Sequence, residues 1–83
     1  MNAKIRQLIA SYAGLSAPIA EISDDADLYR FGLKSHACVE LMLALEDAFG
    51  VEFTDELLTR ATFRSVGAIE RAMASLNAEV LAA

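Results

Sequence analysis

The sequence predicts an all-α protein, a small four-helix bundle with three main helices, a short third helix and a long first loop. Two observations lead to this fold class. Sixteen alanines, with one proline and four glycines among 83 residues, favour helix over sheet. Apolar residues also recur at steps of three and four in separate segments. A chain of this length builds one thin core, so we expect a single domain over residues 1–83.

The first helix is predicted over about residues 2–13, with Gly14 as its stop. Its apolar stripe consists of Ile5, Leu8, Ile9 and Tyr12. A long loop over residues 14–34 follows and contains Pro18. Loops of that length in a small domain are usually functional or held down by apolar side chains. The expected anchors are Ile19, Ile22, Leu28, Phe31 and Leu33.

The second helix is predicted from Ser35 to about Phe49, and Gly50 fits its C-terminal cap. Apolar residues cover more than one of its faces, so this helix should be central. They are Val39, Leu41, Met42, Leu43 and Leu45.

A short third helix is predicted through about Arg60, capped by Thr54 or Asp55. Ser65 then caps the fourth helix, and the sequence leaves open how far this helix extends through residues 77–83. Its apolar stripe consists of Val66, Ile69, Met73, Leu76 and Val80.

Charge is unevenly distributed along the chain. Residues 21–56 hold ten acidic and two basic residues, a balance of −8, and the remainder has a balance of +3. A negative surface repels nucleic acid and complements a basic patch on a protein partner. With no signal-peptide pattern and no apolar run of bilayer length, we expect a soluble, cytoplasmic protein without membrane contact. The single cysteine excludes an internal disulfide, and no segment predicts an oligomer, so we expect a monomer.

Ser35 is the candidate functional residue, because it stands where the long loop becomes a helix. Serine is a preferred N-cap residue, and composition alone favours that interpretation. The alternative is covalent attachment of a phosphate group, which the free N–H groups and positive dipole of a helix N-terminus suit. The two interpretations are compatible.

No catalytic set or metal site is predicted. Ser35 and His36 are adjacent and do not face one another on a helix, and the chain has no second histidine. Cys38 is expected to be a small buried apolar residue. His36 and Cys38 point to different sides of the helix and cannot form a metal-binding pair.

The polar side chains of the second helix that follow Cys38 are all acidic: Glu40, Glu46 and Asp47. Residues 35–59 contain no lysine or arginine to pair with them. Glu40 and Asp47 are seven positions apart and therefore lie on one side. A solvated face is one explanation, but a helix stabilised by surface charge alone would mix signs. The pattern favours a surface that binds a partner.

Two runs of residues resemble the core of acyl carrier proteins. They are Asp27-Leu28-Tyr29-Arg30-Phe31-Gly32-Leu33-Lys34-Ser35 and Val39-Glu40-Leu41-Met42-Leu43-Ala44-Leu45-Glu46-Asp47-Ala48-Phe49. The resemblance continues through residues 51–53 and 62–66 and covers roughly residues 20–76.

This resemblance implies a function. In such carriers a phosphopantetheinyl transferase moves 4′-phosphopantetheine from coenzyme A to the serine that opens the second helix, which corresponds to Ser35. The arm would hold its cargo as a thioester, and the chain itself would not be an enzyme. The family's acidic recognition residues correspond to Glu40, Glu46 and Asp47. Cys38 is then not the cargo thiol.

The sequence departs from the family around the attachment point. Lys34 stands where an acid is usual, His36 replaces a leucine that often touches partners, and Ala37 also replaces an acid. The general transferase of fatty-acid synthesis is therefore expected to recognise this chain poorly, and Lys34 and His36 become candidate partner contacts.

The pattern is more similar to stand-alone carriers that an ATP-dependent ligase loads with an aminoacyl or other short acyl group, for delivery to a downstream acceptor enzyme. The alternatives are a fatty-acyl carrier of a specialised lipid pathway and an unmodified protein-interaction module.

Overall fold

Three α-helices enclose one core in the computed structural model, which describes the backbone of residues 2–82 and the side chains of residues 3–77. They are α1 (Asn2–Tyr12), α2 (Ser35–Phe49) and α3 (Val66–Ala82). Helix α1 packs against both of the others. The described residues contain no strand, which confirms the all-α prediction. In this described part, no helix is both long and apolar enough to cross a membrane.

The predicted helix bounds and stripes are largely confirmed. Gly50 takes the left-handed conformation (φ 65°) that ends α2, and its N–H donates to the carbonyl of Glu46. Fully buried side chains come from every helix and from the first loop: Ile5, Ile9, Leu28, Leu41, Leu45, Val66, Ile69 and Met73. The side chain of Val80, predicted to continue the α3 stripe, lies outside the described residues.

One predicted stripe residue of α1 and two apolar residues of α2, the helix expected to be central, are largely exposed instead. Tyr12 at the end of α1 is 44% exposed, and Val39 and Leu43 on α2 are 54% and 55% exposed. Because α2 packs chiefly through Leu41 and Leu45, its opposite apolar side chains stay on the surface.

The long first loop is held down as predicted. It contains two 3₁₀ turns, Ile19–Glu21 and Leu28–Phe31, and it buries Ile22, Leu28 and Leu33. Backbone hydrogen bonds fix it to the start of α3, from Leu28 N to the Arg64 carbonyl (2.7 Å) and from Gly67 N to the Asp24 carbonyl (2.8 Å). The loop therefore forms one wall of the domain.

The predicted short third helix is wrong in its extent. Only one 3₁₀ turn forms, over Asp55–Leu57, and its N-cap Thr54 makes no side-chain hydrogen bond. Leu58 leaves the helical conformation (φ −84°, ψ 61°). The Tyr29 hydroxyl donates to the carbonyl of Arg60 (2.8 Å) and so ties this segment to the first loop. An irregular segment thus lies beside α2.

Candidate functional site

Ser35 is the first residue of α2, and its side chain is exposed. The N-cap position belongs to Lys34, whose backbone is extended (φ −111°, ψ 161°) and whose side chain makes no capping bond. Within the described residues the Ser35 hydroxyl forms no hydrogen bond. The interpretation of Ser35 as a helix cap is therefore wrong, because the helix begins one residue earlier than a cap at this position requires.

The backbone at this helix start has unused donors. The first helical hydrogen bond of α2 runs from Cys38 N to the Lys34 carbonyl (3.0 Å). The N–H groups of Ser35, His36 and Ala37 precede it and have no backbone acceptor in the described part of the chain. Such groups, at the positive end of the helix dipole, favour a bound anion. An exposed hydroxyl beside free N–H donors fits a phosphodiester attached through that hydroxyl.

A cleft of about 480 Å³ opens beside Ser35, between α2 and the irregular segment that precedes α3. Its lining is mostly apolar and consists of Tyr29, Ser35, Cys38, Val39, Met42, Leu58, Thr59, Arg60 and Phe63. A group attached to Ser35 therefore starts at the rim of an apolar cleft. Of the described residues that line it, Arg60 alone carries a charge.

Arg60 and Tyr29 line this cleft together. The Arg60 guanidinium carbon lies 3.7 Å from the centroid of the Tyr29 ring, a cation–π contact. Burial, with the nearby Cys38 thiol as the second cause, raises the pKa of Tyr29 to about 12. The phenol therefore stays protonated and neutral at physiological pH.

Cys38 lies within the cleft, one turn after Ser35. Its Sγ is 4.0 Å from the Tyr29 hydroxyl oxygen, and the side chain is half-buried. Burial raises the pKa of the Cys38 thiol, and the Tyr29 hydrogen bond and the Arg60 charge oppose this only in part. Cys38 is thus a neutral thiol, in keeping with the apolar role predicted for it.

A second, smaller groove of about 260 Å³ lies on the other side of Ser35. It brings together three of the predicted partner contacts, Lys34, His36 and Glu40, and adds Tyr12 from the end of α1. The position of Tyr12 on the surface was not predicted, because helical spacing places the ring in the core stripe of α1. The one available signal was its position in the last turn, two residues before Gly14.

The acidic residues of α2 divide into two kinds. Glu40 and Asp47 are exposed, on the surface that also presents Val39 and Leu43. Glu46 is half-buried, and its Oε2 accepts a hydrogen bond from Phe53 N (2.8 Å). Glu46 therefore holds the link after α2. The role of all three in partner binding stays a prediction.

Five cleft residues outside α2 were not predicted from the sequence: Tyr29, Leu58, Thr59, Arg60 and Phe63. They lie in irregular segments, and 31 positions separate Tyr29 from its partner Arg60. Helical periodicity carries no information about such contacts. Among the described residues, no group of three or more His, Cys, Asp or Glu side chains could hold a metal ion.

The family of the phosphopantetheine attachment site matches residues 3–73, a range that includes Ser35. The chain belongs to this family of phosphopantetheine-binding carrier proteins, as the resemblance predicted, and 4′-phosphopantetheine is the cofactor of the family. An aminoacyl carrier protein of Agrobacterium fabrum is 51% identical over 70 residues, which is 84% of each chain.

Solved structures agree with this assignment. One contains the carrier protein from Agrobacterium tumefaciens complexed with an engineered Bradyrhizobium japonicum glycine:[carrier protein] ligase and AMP. The match is 49% identical with a TM-score of 0.86, over 89% of this chain and 99% of that one. Another structure contains the Bradyrhizobium japonicum glycine:[carrier protein] ligase complexed with glycylated carrier protein. The matched chain is 30% identical with a TM-score of 0.72, over 86% of this chain and 95% of that one.

Proposed function

We propose that this chain is an aminoacyl carrier protein, one domain over residues 1–83, with 4′-phosphopantetheine attached to Ser35. The observation that carries the proposal is the exposed Ser35 hydroxyl at the first position of α2, outside any capping bond. The 51% identity to an aminoacyl carrier protein supports the aminoacyl cargo. The chain supplies the carrier and no catalytic group.

The residues around Ser35 have defined tasks in this proposal. The N–H groups of Ser35, His36 and Ala37 face the phosphodiester and stabilise its charge. The Lys34 ammonium, adjacent in sequence, adds a cation. The thiol of the arm supplies the thioester bond that keeps the amino acid activated. Tethering raises the effective concentration of the amino acid at the partner enzymes.

Three partners follow from this function. A phosphopantetheinyl transferase modifies Ser35, an ATP-dependent ligase loads the amino acid, and a downstream enzyme accepts it. The relatives complexed with a glycine:[carrier protein] ligase support the second of these. The exposed Glu40 and Asp47 would meet a basic surface of the ligase. Lys34 and His36, which flank Ser35, would contact the ligase where the arm enters it. We place this monomeric carrier in the cytoplasm, where coenzyme A and ATP are available, and without nucleic-acid or membrane partners.

The test has two stages. The purified chain is incubated with coenzyme A and a promiscuous phosphopantetheinyl transferase, and intact-mass analysis with fragment mapping should show one phosphopantetheine on Ser35. The product is then offered glycine, ATP and a glycine:[carrier protein] ligase, and it should gain one glycyl group.

Each stage has its own negative outcome. No mass gain beside a working control carrier would contradict Ser35 attachment and favour an unmodified interaction module. Attachment followed by loading with fatty-acyl groups but with no amino acid would contradict the aminoacyl function.

A further inference from the structure

The cleft beside Ser35 is lined by apolar side chains and one positive charge, a combination that the carrier function does not explain. Its described lining offers apolar surface from Val39, Met42, Leu58 and Phe63, and no carboxylate. Its single charge is the guanidinium of Arg60. An apolar group can enter such a cleft, but an ammonium group would lose its hydration there without meeting an opposite charge.

The Arg60 guanidinium is well placed to act on a group in the cleft. Among the described residues it forms no ion pair, whereas Arg6, Arg30 and Arg64 each pair with an aspartate. It contacts the neutral Tyr29 ring at 3.7 Å, and no carboxylate of the described residues lies within ion-pairing distance of it. Arg60 also borders a neighbouring cavity of about 410 Å³, together with Asp27 and Arg64, so the Arg60–Tyr29 pair separates the two spaces.

We propose that Arg60 makes the cleft selective for charge: the end of the arm enters when it carries a neutral acyl group and is kept out when it carries the α-ammonium of an amino acid. This inference rests on the attachment of the arm to Ser35 and deepens the proposed function. A free α-amino group has a pKa near 8 and is therefore largely protonated at neutral pH. Its exclusion leaves the aminoacyl group in solution, accessible to an acceptor enzyme.

Cys38 provides the readout, since it lies in the cleft and is the single cysteine of the chain. The chain is modified at Ser35 with hydrolysis-resistant amide analogues of acetyl- and glycyl-coenzyme A, which leave no free thiol on the arm. Cys38 is then alkylated with iodoacetamide, a neutral reagent, at pH 7, and its rate is followed by mass spectrometry. We expect the acetyl form to react about threefold more slowly than the glycyl form, the effect of one partly solvated charge.

Two variants assign the selectivity to Arg60. Arg60→Gln should reduce the ratio of the two rates, and Arg60→Glu should abolish it, because a carboxylate then offers the ammonium a partner. Arg64→Gln is the matched control, since Arg64 borders only the neighbouring cavity, and it should keep the wild-type ratio. Ratios within one variant cancel any direct effect of Arg60 on Cys38 reactivity.

The outcomes separate this inference from the proposed function. Equal alkylation of the acetyl and glycyl forms in the wild-type protein would overturn charge selection while leaving Ser35 attachment intact. A wild-type ratio that persists in Arg60→Glu would overturn the role of Arg60. Failure to gain mass from either analogue would instead contradict attachment at Ser35. Chemical shifts of the Met42 methyl group in the two forms give an independent measure of occupancy.

Discussion

A serine stands at the start of both α2 and α3, and the two helix starts differ in almost every physical respect. At α3, the Ser65 hydroxyl accepts a hydrogen bond from Ala68 N (3.0 Å), and Ser65 is only 9% exposed. At α2, Ser35 lies one position further into its helix, is exposed and caps nothing. The same side chain stabilises the protein at one helix start and is free for chemistry at the other.

The neighbouring loop explains the difference. The first loop covers the start of α3, where Gly67 N donates to the carbonyl of Asp24 and Val66 is fully buried. A Cβ at Gly67 would lie 3.2 Å from that carbonyl oxygen, closer than most Cβ contacts, so a glycine favours this close approach. No such cover lies over the start of α2, where three N–H groups remain unused in the described structure. A helix start that the fold leaves unsatisfied is one that a ligand can satisfy.

The largest expected effect separates the two serines completely. Ser35→Ala should abolish the mass gain from coenzyme A and a phosphopantetheinyl transferase, because the acceptor oxygen is gone. Its free energy of unfolding should stay within about 0.5 kcal/mol of wild type, since the hydroxyl makes no bond. Intact mass and urea denaturation measure the two effects, and Ser65→Ala is the control that should still be modified. Modification of Ser35→Ala would refute the assignment.

A second prediction concerns the exposed acids that follow Ser35 on α2. The double variant Glu40→Lys with Asp47→Lys should slow loading by the ligase roughly tenfold at low salt, because the surface that attracts a basic partner is reversed. The effect should shrink as salt screens the charges. Initial loading rates at several ionic strengths measure it.

A variant of Glu46 provides a comparison for that test. Glu46→Gln removes the charge but keeps an acceptor for Phe53 N, so loading and stability should both change little if the side chain acts mainly within the fold. If the ligase loads the lysine double variant at the wild-type rate at low salt, the acidic residues of α2 do not contribute to ligase binding. A loss in Glu46→Gln as large as in the double variant would show that Glu46 is a docking residue after all.

The third prediction is the structural counterpart of the first. Ser65→Ala should lower the free energy of unfolding by about 1 kcal/mol, because the part-buried N–H of Ala68 loses its acceptor. Ser65→Asp, which restores a capping acceptor, is the matched control and should recover most of the loss. Denaturant titration measures both. Equal stability of Ser65→Ala and wild type would show that the cap contributes nothing.

The sequence predicted the parts of the molecule that repeat along a helix. The stripes of α1 and α3, the glycine that ends α2 and the serine that opens it follow from the local spacing of residues. The resemblance added the chemistry of Ser35. The cleft could not be predicted, because Tyr29, Arg60 and Phe63 meet through tertiary contacts between irregular segments. The third helix failed for the same reason: Leu58 leaves the helical conformation, and a tertiary hydrogen bond from Tyr29 to the Arg60 carbonyl holds the segment instead of local propensity.

The smallest expected effect concerns Cys38, one turn after Ser35. Thiols near a helix N-terminus often become reactive through a lowered pKa, but burial in the cleft prevails here and raises the pKa of Cys38 above its ordinary value. At pH 8, iodoacetamide should therefore alkylate Cys38 more slowly in the folded protein than in the urea-unfolded chain.

The raised pKa of Cys38 also determines how the free energy of unfolding changes with pH. The unfolded chain ionises first, so the contribution of Cys38 is intact below the ordinary thiol pKa of about 8.5 and is lost as pH rises through the folded value. Denaturant titrations between pH 7 and the alkaline range should show stability falling with pH, less steeply in Cys38→Ala. Tyr29, with its pKa near 12, acts in the same direction at higher pH in both proteins. Faster alkylation in the folded state, or a variant with the wild-type pH slope, would show that the helix start activates Cys38 rather than leaving it an inert neighbour of Ser35.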